Sequence, residues 1–369
     1  MNFSISDFSQ SMSRTSRDFK DEDIAVVALA AKARATVEAS QHVFVTLGWK
    51  ERKDGQGVRL FERKSTPGVF DIAASTSLPC SASEIIEALS SRNSDEFNAT
   101  MLALAGDGFS FAVTLREIPT ASPHVHLTIK RMQFSGSIPL VSSTKTFEFL
   151  DYAEYDTKTR TAVRIFQTLT RDRAGRLALA GDTLAGYVLT EQTKLHQTSV
   201  FYFGTHAMTR EELKARSIVK ARLRVSTARE STTQALLKLA KVIPTIGAIA
   251  LRRRLGAEYV VDPSEEGNKN CPGCGKVVNV SRLRKKHVCC ICSLDTCNSC
   301  SRFQDVESLI GVIERLCVCC ICISTARHRA FDTVNDGPTY RLRPSATSTS
   351  RTNSTTLSST RSHVLPTHA

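Results

Sequence analysis

The first regular pattern of apolar positions falls over residues 23–46, DIAVVALAAKARATVEASQHVFVT. Its Ala-rich, recurring apolar spacing predicts a helix, with Asp21 or Asp23 placed to cap it. Residues 1–20 are polar and Ser-rich, show no periodicity and are expected to be disordered. Next, GVRLFERK follows KDGQ and VFDIAASTSL follows TPG, which predicts two short strands split by turns. Residues 81–106 return to helical spacing, as one or two helices, and Ser81 with Glu84 has the spacing of a capping box. Strand-like runs then dominate: DGFSFAVTLREI, HVHLTIKRMQF, TKTFEFLDYAEY, TRTAVRIFQTL and QTSVFYFGT. The apolar–polar alternation of HVHLTIKRM and TAVRIFQTL predicts a sheet with one buried face.

From Thr209 to about Arg254 the pattern is helical again, first charged, then apolar. Leu236, Leu239, Ala240, Ile243 and Ile246 fall near one face. Pro244 removes a backbone donor, so it should kink or interrupt that helix. The element order predicts an α+β domain in which a curved antiparallel sheet grips a long C-terminal helix. No internal repeat is visible. The last 30 residues, YRLRPSATSTSRTNSTTLSSTRSHVLPTHA, are too rich in Ser and Thr to bury a core.

Composition narrows the possibilities. The 369 residues are 41% hydrophobic and 23% charged, which suits a packed core and two or three domains. A net charge of +13 favours anionic partners, whether membrane surfaces or nucleic acid. Aromatic content of 7% and the lack of a stacking platform argue against nucleic acid. The N-terminus lacks the apolar segment of a signal peptide, and VIPTIGAIAL (242–251) falls well short of the roughly 20 apolar residues of a membrane span. A soluble, cytosolic protein is therefore expected. No Ser nucleophile motif, phosphate loop or dinucleotide fingerprint occurs, and His124, His126 and His196 are scattered, so no enzyme activity is expected.

Eleven of the 12 cysteines lie within residues 271–322, Cys80 being the exception. In a reducing compartment such crowding points to metal ligands before disulfides. Four C-x2-C pairs occur in order: Cys271/Cys274, Cys289/Cys292, Cys297/Cys300 and Cys317/Cys320. The turn of such a pair brings two thiolates to one tetrahedral ion at a Zn–S distance of about 2.3 Å. Eight thiolates make two closed zinc sites, which are structural because no position is left for water or substrate. Iron–sulfur ligation and disulfides are the competing readings of the same residues. Cys319/Cys322 is a further C-x2-C pair overlapping the last one.

Four sub-motifs occur in the order of a FYVE finger. YVVD (259–262) stands where that family has W-x2-D, and KKHVCCICS (285–293) where it has R-(R/K)-H-H-C-R-x-C-G. CNSCS (297–301) matches its C-x2-C-S, and Arg315-Leu316 precedes a cysteine pair as in its R-V-C-x2-C. The stretch therefore resembles a FYVE finger. The resemblance implies two structural zinc ions in interleaved order, one on Cys271, Cys274, Cys297 and Cys300, the other on Cys289, Cys292, Cys317 and Cys320. It also implies binding of phosphatidylinositol 3-phosphate at endosomal membranes. Tyr259, Asp262, Leu283, Arg284, Lys285, Lys286, His287 and Arg315 would form that lipid site, Leu283 as the inserting residue. The motif is altered: Tyr259 replaces tryptophan, Lys285 an arginine, Val288 the second histidine, Cys290 the next arginine and Ser293 the glycine. A degenerate finger that binds a protein partner is the alternative.

The larger domain resembles a START-like helix-grip domain. SLPCSASEIIEAL (78–89), FEFLDYAEYD (147–156) and LAGYVLTEQT (184–193) are similar to stretches of an oomycete group that pairs such a domain with a FYVE-type finger. The resemblance implies a lipid held beneath the apolar face of residues 235–250, with an ordinary filled core as the alternative. The expected plan is a disordered stretch over 1–20, a START-like domain over 21–255, a finger over 256–325 and a disordered tail over 326–369. The expected role is peripheral to endosomal membranes.

Overall fold

The computed structural model describes residues 5–43, 48–52, 57–63, 68–91, 93–106, 109–135, 144–171, 177–178, 181–207, 232–259, 268–278 and 286–328. The chain opens with α1 (Ile5–Val43). Strands β1 (Lys50–Arg52), β2 (Arg59–Arg63) and β3 (Val69–Leu78) follow, then α2 (Ala82–Leu89) and α3 (Ser94–Ala105). Next come β4 (Phe109–Glu117), β5 (Val125–Ser135), β6 (Thr144–Asp156), β7 (Thr161–Thr168) and a minor pair, β8 (Thr170–Arg171) with β9 (Leu177–Ala178). Strands β10 (Thr183–Gln192) and β11 (Gln197–Ala207) complete the large sheet, and α4 (Thr232–Lys241) and α5 (Ile243–Ala257) follow. The cysteine-rich segment holds β12 (Lys286–Val288), β13 (Asp295–Cys297), β14 (Ser301–Leu309), β15 (Val312–Cys319) and α6 (Cys320–His328).

Nine strands form one antiparallel sheet in the order β1-β2-β3-β11-β10-β7-β6-β5-β4. The α+β arrangement expected from the element order is present, with the C-terminal helices lying on the sheet. Pro244 falls at the start of α5, and the break at Val242 between α4 and α5 is the interruption that a proline imposes. Leu236, Ala240, Ile243, Ile246, Ile249 and Ala250 are buried against sheet residues such as Ile72, Tyr187 and Tyr202. The Tyr187 and Tyr202 hydroxyls donate to the carbonyls of Leu239 and Leu236, both at 3.1 Å. Each buried Ile or Leu contributes about 1.5–3 kcal/mol, so this apolar stripe fixes α4 and α5 to the sheet.

Three expectations change. Helix α1 begins at Ile5, where residues 5–20 were expected to be disordered; no Gly or Pro interrupts that polar stretch, so nothing in it stops the helix. The C-terminal part of α1 covers the second face of the sheet, with Val26, Ala30, Ala33 and Val37 packed on Leu127, Ile129, Val163 and Ile165. The sheet therefore has two buried faces, not one. Gly186 permits this close approach, because a Cβ there would stand 3.1 Å from Val37. Strand β10, TLAGYVLTEQ, carries no alternation because seven of its residues in a row are buried, which is why periodicity did not mark it. The charged helical stretch expected from Thr209 and the Ser/Thr-rich tail beyond residue 328 lie outside the described residues.

Polar residues fill part of the inner face. Asp151 on β6 accepts from Arg164 Nε and Nη2 on β7, both at 2.9 Å, and from Lys130 Nζ on β5 at 2.7 Å. Lys130 also donates to the Ser91 carbonyl at 2.8 Å. All three side chains are within 1% of complete burial. Burial alone would raise the Asp151 carboxyl, but Arg164 and then Lys130 hold it well below the usual carboxylate range. Burial lowers the Lys130 ammonium, against the pull of Asp151.

The two sheet edges differ from the interior. The outer strand β1 is three residues long and reads Lys-Glu-Arg. At the other edge, β4 is irregular at Phe109/Phe111 and again at Thr114/Arg116.

Candidate metal centres

Both cysteine clusters are built from the same turn. In the first, the Cys271 N–H donates to the Lys276 carbonyl and the Gly275 N–H to the Cys271 carbonyl, each at 2.8 Å. In the second, Cys289 donates to the Leu294 carbonyl at 3.0 Å and Ser293 to the Cys289 carbonyl at 2.9 Å. The residue after the second cysteine takes positive φ in each: +70° at Gly275 and +58° at Ser293. That conformation costs an L residue roughly 1–2 kcal/mol, whereas glycine adopts it freely. Ser293→Gly should therefore raise stability by about 0.5–1 kcal/mol in urea unfolding of the zinc-loaded chain; a loss of stability would show that the serine hydroxyl matters more than its backbone.

The turns deliver two groups of four sulfurs. One comprises Cys271, Cys274, Cys297 and Cys300; the other comprises Cys289, Cys292, Cys319 and Cys322. Within each group the sulfur atoms lie within 4.8 Å of one another. Cys274 and Cys297 are 3.7 Å apart, and Cys292 and Cys319 are 4.0 Å apart. A tetrahedron with Zn–S bonds of about 2.3 Å has an edge of about 3.8 Å, so each group could hold a metal ion and its all-sulfur donor set is consistent with zinc. Backbone donors help hold the sulfurs: the Cys319 N–H reaches Cys289 Sγ at 3.2 Å, and the Cys322 N–H reaches Cys319 Sγ at 3.4 Å.

The thiols are electrostatically unequal. Hydrogen bonds from the Cys319 and Cys322 thiols push Cys289 far below an ordinary thiol. The same contact with Cys289 raises Cys319 to about 12. In the first group, burial acts to raise Cys271, but backbone donors at Cys297, Gly273 and Cys274 bring it down to about 6.

The terminal pair is therefore Cys319/Cys322, not Cys317/Cys320. The reason is local. Strand β15 ends at Cys319 and α6 begins at Cys320, so one helical turn brings Cys322 back beside Cys319. Cys320 instead stands exposed at the start of the helix. Cys317 lies further up the strand, where its carbonyl accepts the Cys290 N–H at 2.9 Å.

The expected lipid-site residues divide. Tyr259 is half-buried and packs against the core of the cysteine module, so the structure gives it a packing position. Lys286 Nζ pairs with Asp295 Oδ2 at 2.8 Å. His287 meets Phe303 edge to face, with ring centroids 5.9 Å apart. Arg315 pairs with Asp305 at 3.2 Å on an exposed surface, where such a pair holds it only weakly. Asp262, Leu283, Arg284 and Lys285 lie outside the described residues.

Sequence reasoning did not foresee how the module joins the sheet. Arg254 is 5% exposed, and its guanidinium ties α5 to α2, to α6 and to the turn after β3. Nε donates to Glu84 Oε1 at 2.6 Å, Nη1 to the Ala326 and Arg327 carbonyls at 2.8 and 3.0 Å, and Nη2 to Glu84 Oε2 and the Pro79 carbonyl. Glu84 is also the capping-box residue of α2: Ser81 N–H donates to its Oε2 at 2.9 Å, and Glu84 N–H donates to Ser81 Oγ at 3.2 Å. Next to Arg254, Arg252 and Arg253 face the fully buried Glu307 of β14. The run RRR at 252–254, directly before the cysteine module, was the available signal.

No protein-family model matches the sequence, and no curated protein matches it. Among solved structures, the chain is similar to human StAR-related lipid transfer protein 5, at 15% identity and a TM-score of 0.34 over 58% of this chain and 97% of that one. It is similar to the lipid transfer and protein localization domain of human StarD13, at 10% identity and a TM-score of 0.35 over 56% and 93% of the two chains. Human STARD10 gives 9% identity and a TM-score of 0.33 over 55% and 77%. Similarities of this size do not speak to a ligand, and the architecture stands on the strand order and helix placement above. No helix among the described residues is long and apolar enough to cross a membrane.

Proposed function

We propose that the protein is a peripheral membrane-binding protein without catalytic activity. In this reading a zinc-stabilised, FYVE-like finger recognises an anionic phosphoinositide headgroup at endosomal membranes, and the sheet domain holds a lipid. The observation that carries it is the alternation of the cysteine pairs: first and third to one group, second and last to the other. This cross-bracing matches the interleaving implied by the FYVE resemblance. In the sequence, the basic run RKKH (284–287) directly precedes the second turn. Exposed Val288 and Phe303 lie beside Lys286 and His287, supplying the mixture of cations and apolar surface that a phosphoinositide membrane takes. The four-thiol groups leave no coordination position for a substrate, which supports binding over catalysis. Lipid holding requires α4 and α5 to move, because their apolar face is packed on the sheet.

A second reading, a protein-interaction adaptor that no longer recognises lipid, is favoured by the Lys286–Asp295 pair, which occupies one of the expected headgroup cations. Flotation of the zinc-loaded chain separates the two. Vesicles carry phosphatidylinositol 3-phosphate, another phosphoinositide or phosphatidylserine at matched charge, alongside Lys285→Ala/Lys286→Ala. Selective flotation on the 3-phosphate vesicles, lost in the double variant, is the expected result. Equal flotation on all anionic vesicles that fades with salt would reduce the finger to general electrostatics, and no flotation would leave the adaptor.

A further inference from the structure

Helix α5 belongs to two cores at once. Its Ile243, Ile246, Ile249 and Ala250 are packed in the core of the sheet domain. Its last turn is in the other core: Leu255 is buried with Cys289, Ile291, Val306, Val318, Cys319, Ile323 and Ala326, and Leu251 packs against them. Gly256 closes the contact, since a Cβ there would overlap the Glu307 carbonyl. Around this seam run the Arg254 bonds to α2 and to the end of α6, and the Arg252 and Arg253 contacts to Glu307, whose second carboxylate oxygen accepts the Gly311 N–H at 2.9 Å.

The two cysteine groups are not equivalent with respect to this seam. Cys289 and Cys319 are members of the core that receives Leu255, and Cys292 and Cys322 pack against it. None of Cys271, Cys274, Cys297 and Cys300 is among its residues. The elements that grip α5 are β14 and α6. Cys322 lies in the first turn of α6, and Cys319 ends the strand paired with β14. A metal ion shared by these four sulfurs would tie the Cys289 turn, the end of β15 and the first turn of α6 into one rigid wall of that core.

We propose that a metal ion in the second group, on Cys289, Cys292, Cys319 and Cys322, is the clasp that keeps α5 seated on the sheet domain, whereas the first group stabilises only its own end of the module. Losing the second ion would release the last turn of α5, free Arg254 from the α6 carbonyls and from Glu84, and loosen the apolar cover over the sheet. The metal state of one small module thus governs access to the interior of the larger one.

Hydrogen–deuterium exchange on the full zinc-loaded chain tests it, with metal content measured in parallel. In Cys319→Ser/Cys322→Ser, amides of residues 243–257 should exchange at least tenfold faster than in the parent. In Cys274→Ser/Cys297→Ser they should stay within twofold. Unchanged exchange over α5 after loss of the second ion would overturn the proposal, as would an equal rise in both variants. If the first variant fails to fold, chelation of Cys274→Ser/Cys297→Ser decides: removal of its one remaining ion should open α5, and parent-like protection after that removal would overturn the proposal. Because the readout needs no vesicle or lipid, it is independent of the flotation result.

Discussion

Cys319→Ser or Cys322→Ser should bind one zinc where the parent binds two, and Cys317→Ser or Cys320→Ser should bind both. Native mass spectrometry of the four single variants reads this directly. The difference follows from which sulfurs meet: Cys319 and Cys322 lie within 4.8 Å of Cys289 and Cys292, while Cys317 and Cys320 lie outside both groups. The effect on stability should be large, since structural zinc contributes on the order of 10–16 kcal/mol to a small folded module at neutral pH. Loss of an ion in Cys320→Ser, with none lost in Cys322→Ser, would restore the register that the FYVE resemblance implies.

The second large effect is expected deep in the sheet. Asp151→Ala should cost about 3–5 kcal/mol, because it strands Arg164 and Lys130 without a counter-charge where neither reaches water. Replacing all three by apolar residues of similar size should recover most of that loss, since the ion triad as a whole contributes little beyond a filled core. A cost under about 1 kcal/mol in urea unfolding of Asp151→Ala would mean that water enters the site. The pH dependence has a definite sign. The folded carboxyl titrates below its unfolded counterpart, so its contribution is complete above the unfolded carboxylate range, near pH 4, and is lost as pH falls below it.

These two sites mark where the sequence was legible and where it was not. The capping box at Ser81 and Glu84, the break at Pro244 and the buried stripe from Leu236 to Ile246 were readable because each is a local pattern with one physical cause. The existence of a cysteine module was readable for the same reason. Which cysteines complete its second group was not, because Cys317/Cys320 and Cys319/Cys322 have the same spacing, and only the strand-to-helix junction at Cys320 separates them. Lys130, Asp151 and Arg164 were hidden by the alternation itself. Polar positions of β5, β6 and β7 read as a solvent face, yet they turn inward against α2 and α3 while their apolar neighbours meet α1. The roles of Arg254 and Glu307 depend on contacts between segments some 55 to 170 residues apart, which no local pattern records.

The edges of the nine-stranded sheet carry one more consequence. An open sheet leaves rows of unpaired amides and carbonyls at its outer strands, a template on which another chain can add. Here one rim is three charged residues, Lys50, Glu51 and Arg52, and the other is bent by two irregularities in β4. A charged stub offers too few bonds to recruit a neighbour, and a buckled strand cannot present them in register. Both rims of a sheet that encloses so much apolar surface thus carry features that oppose the addition of another strand.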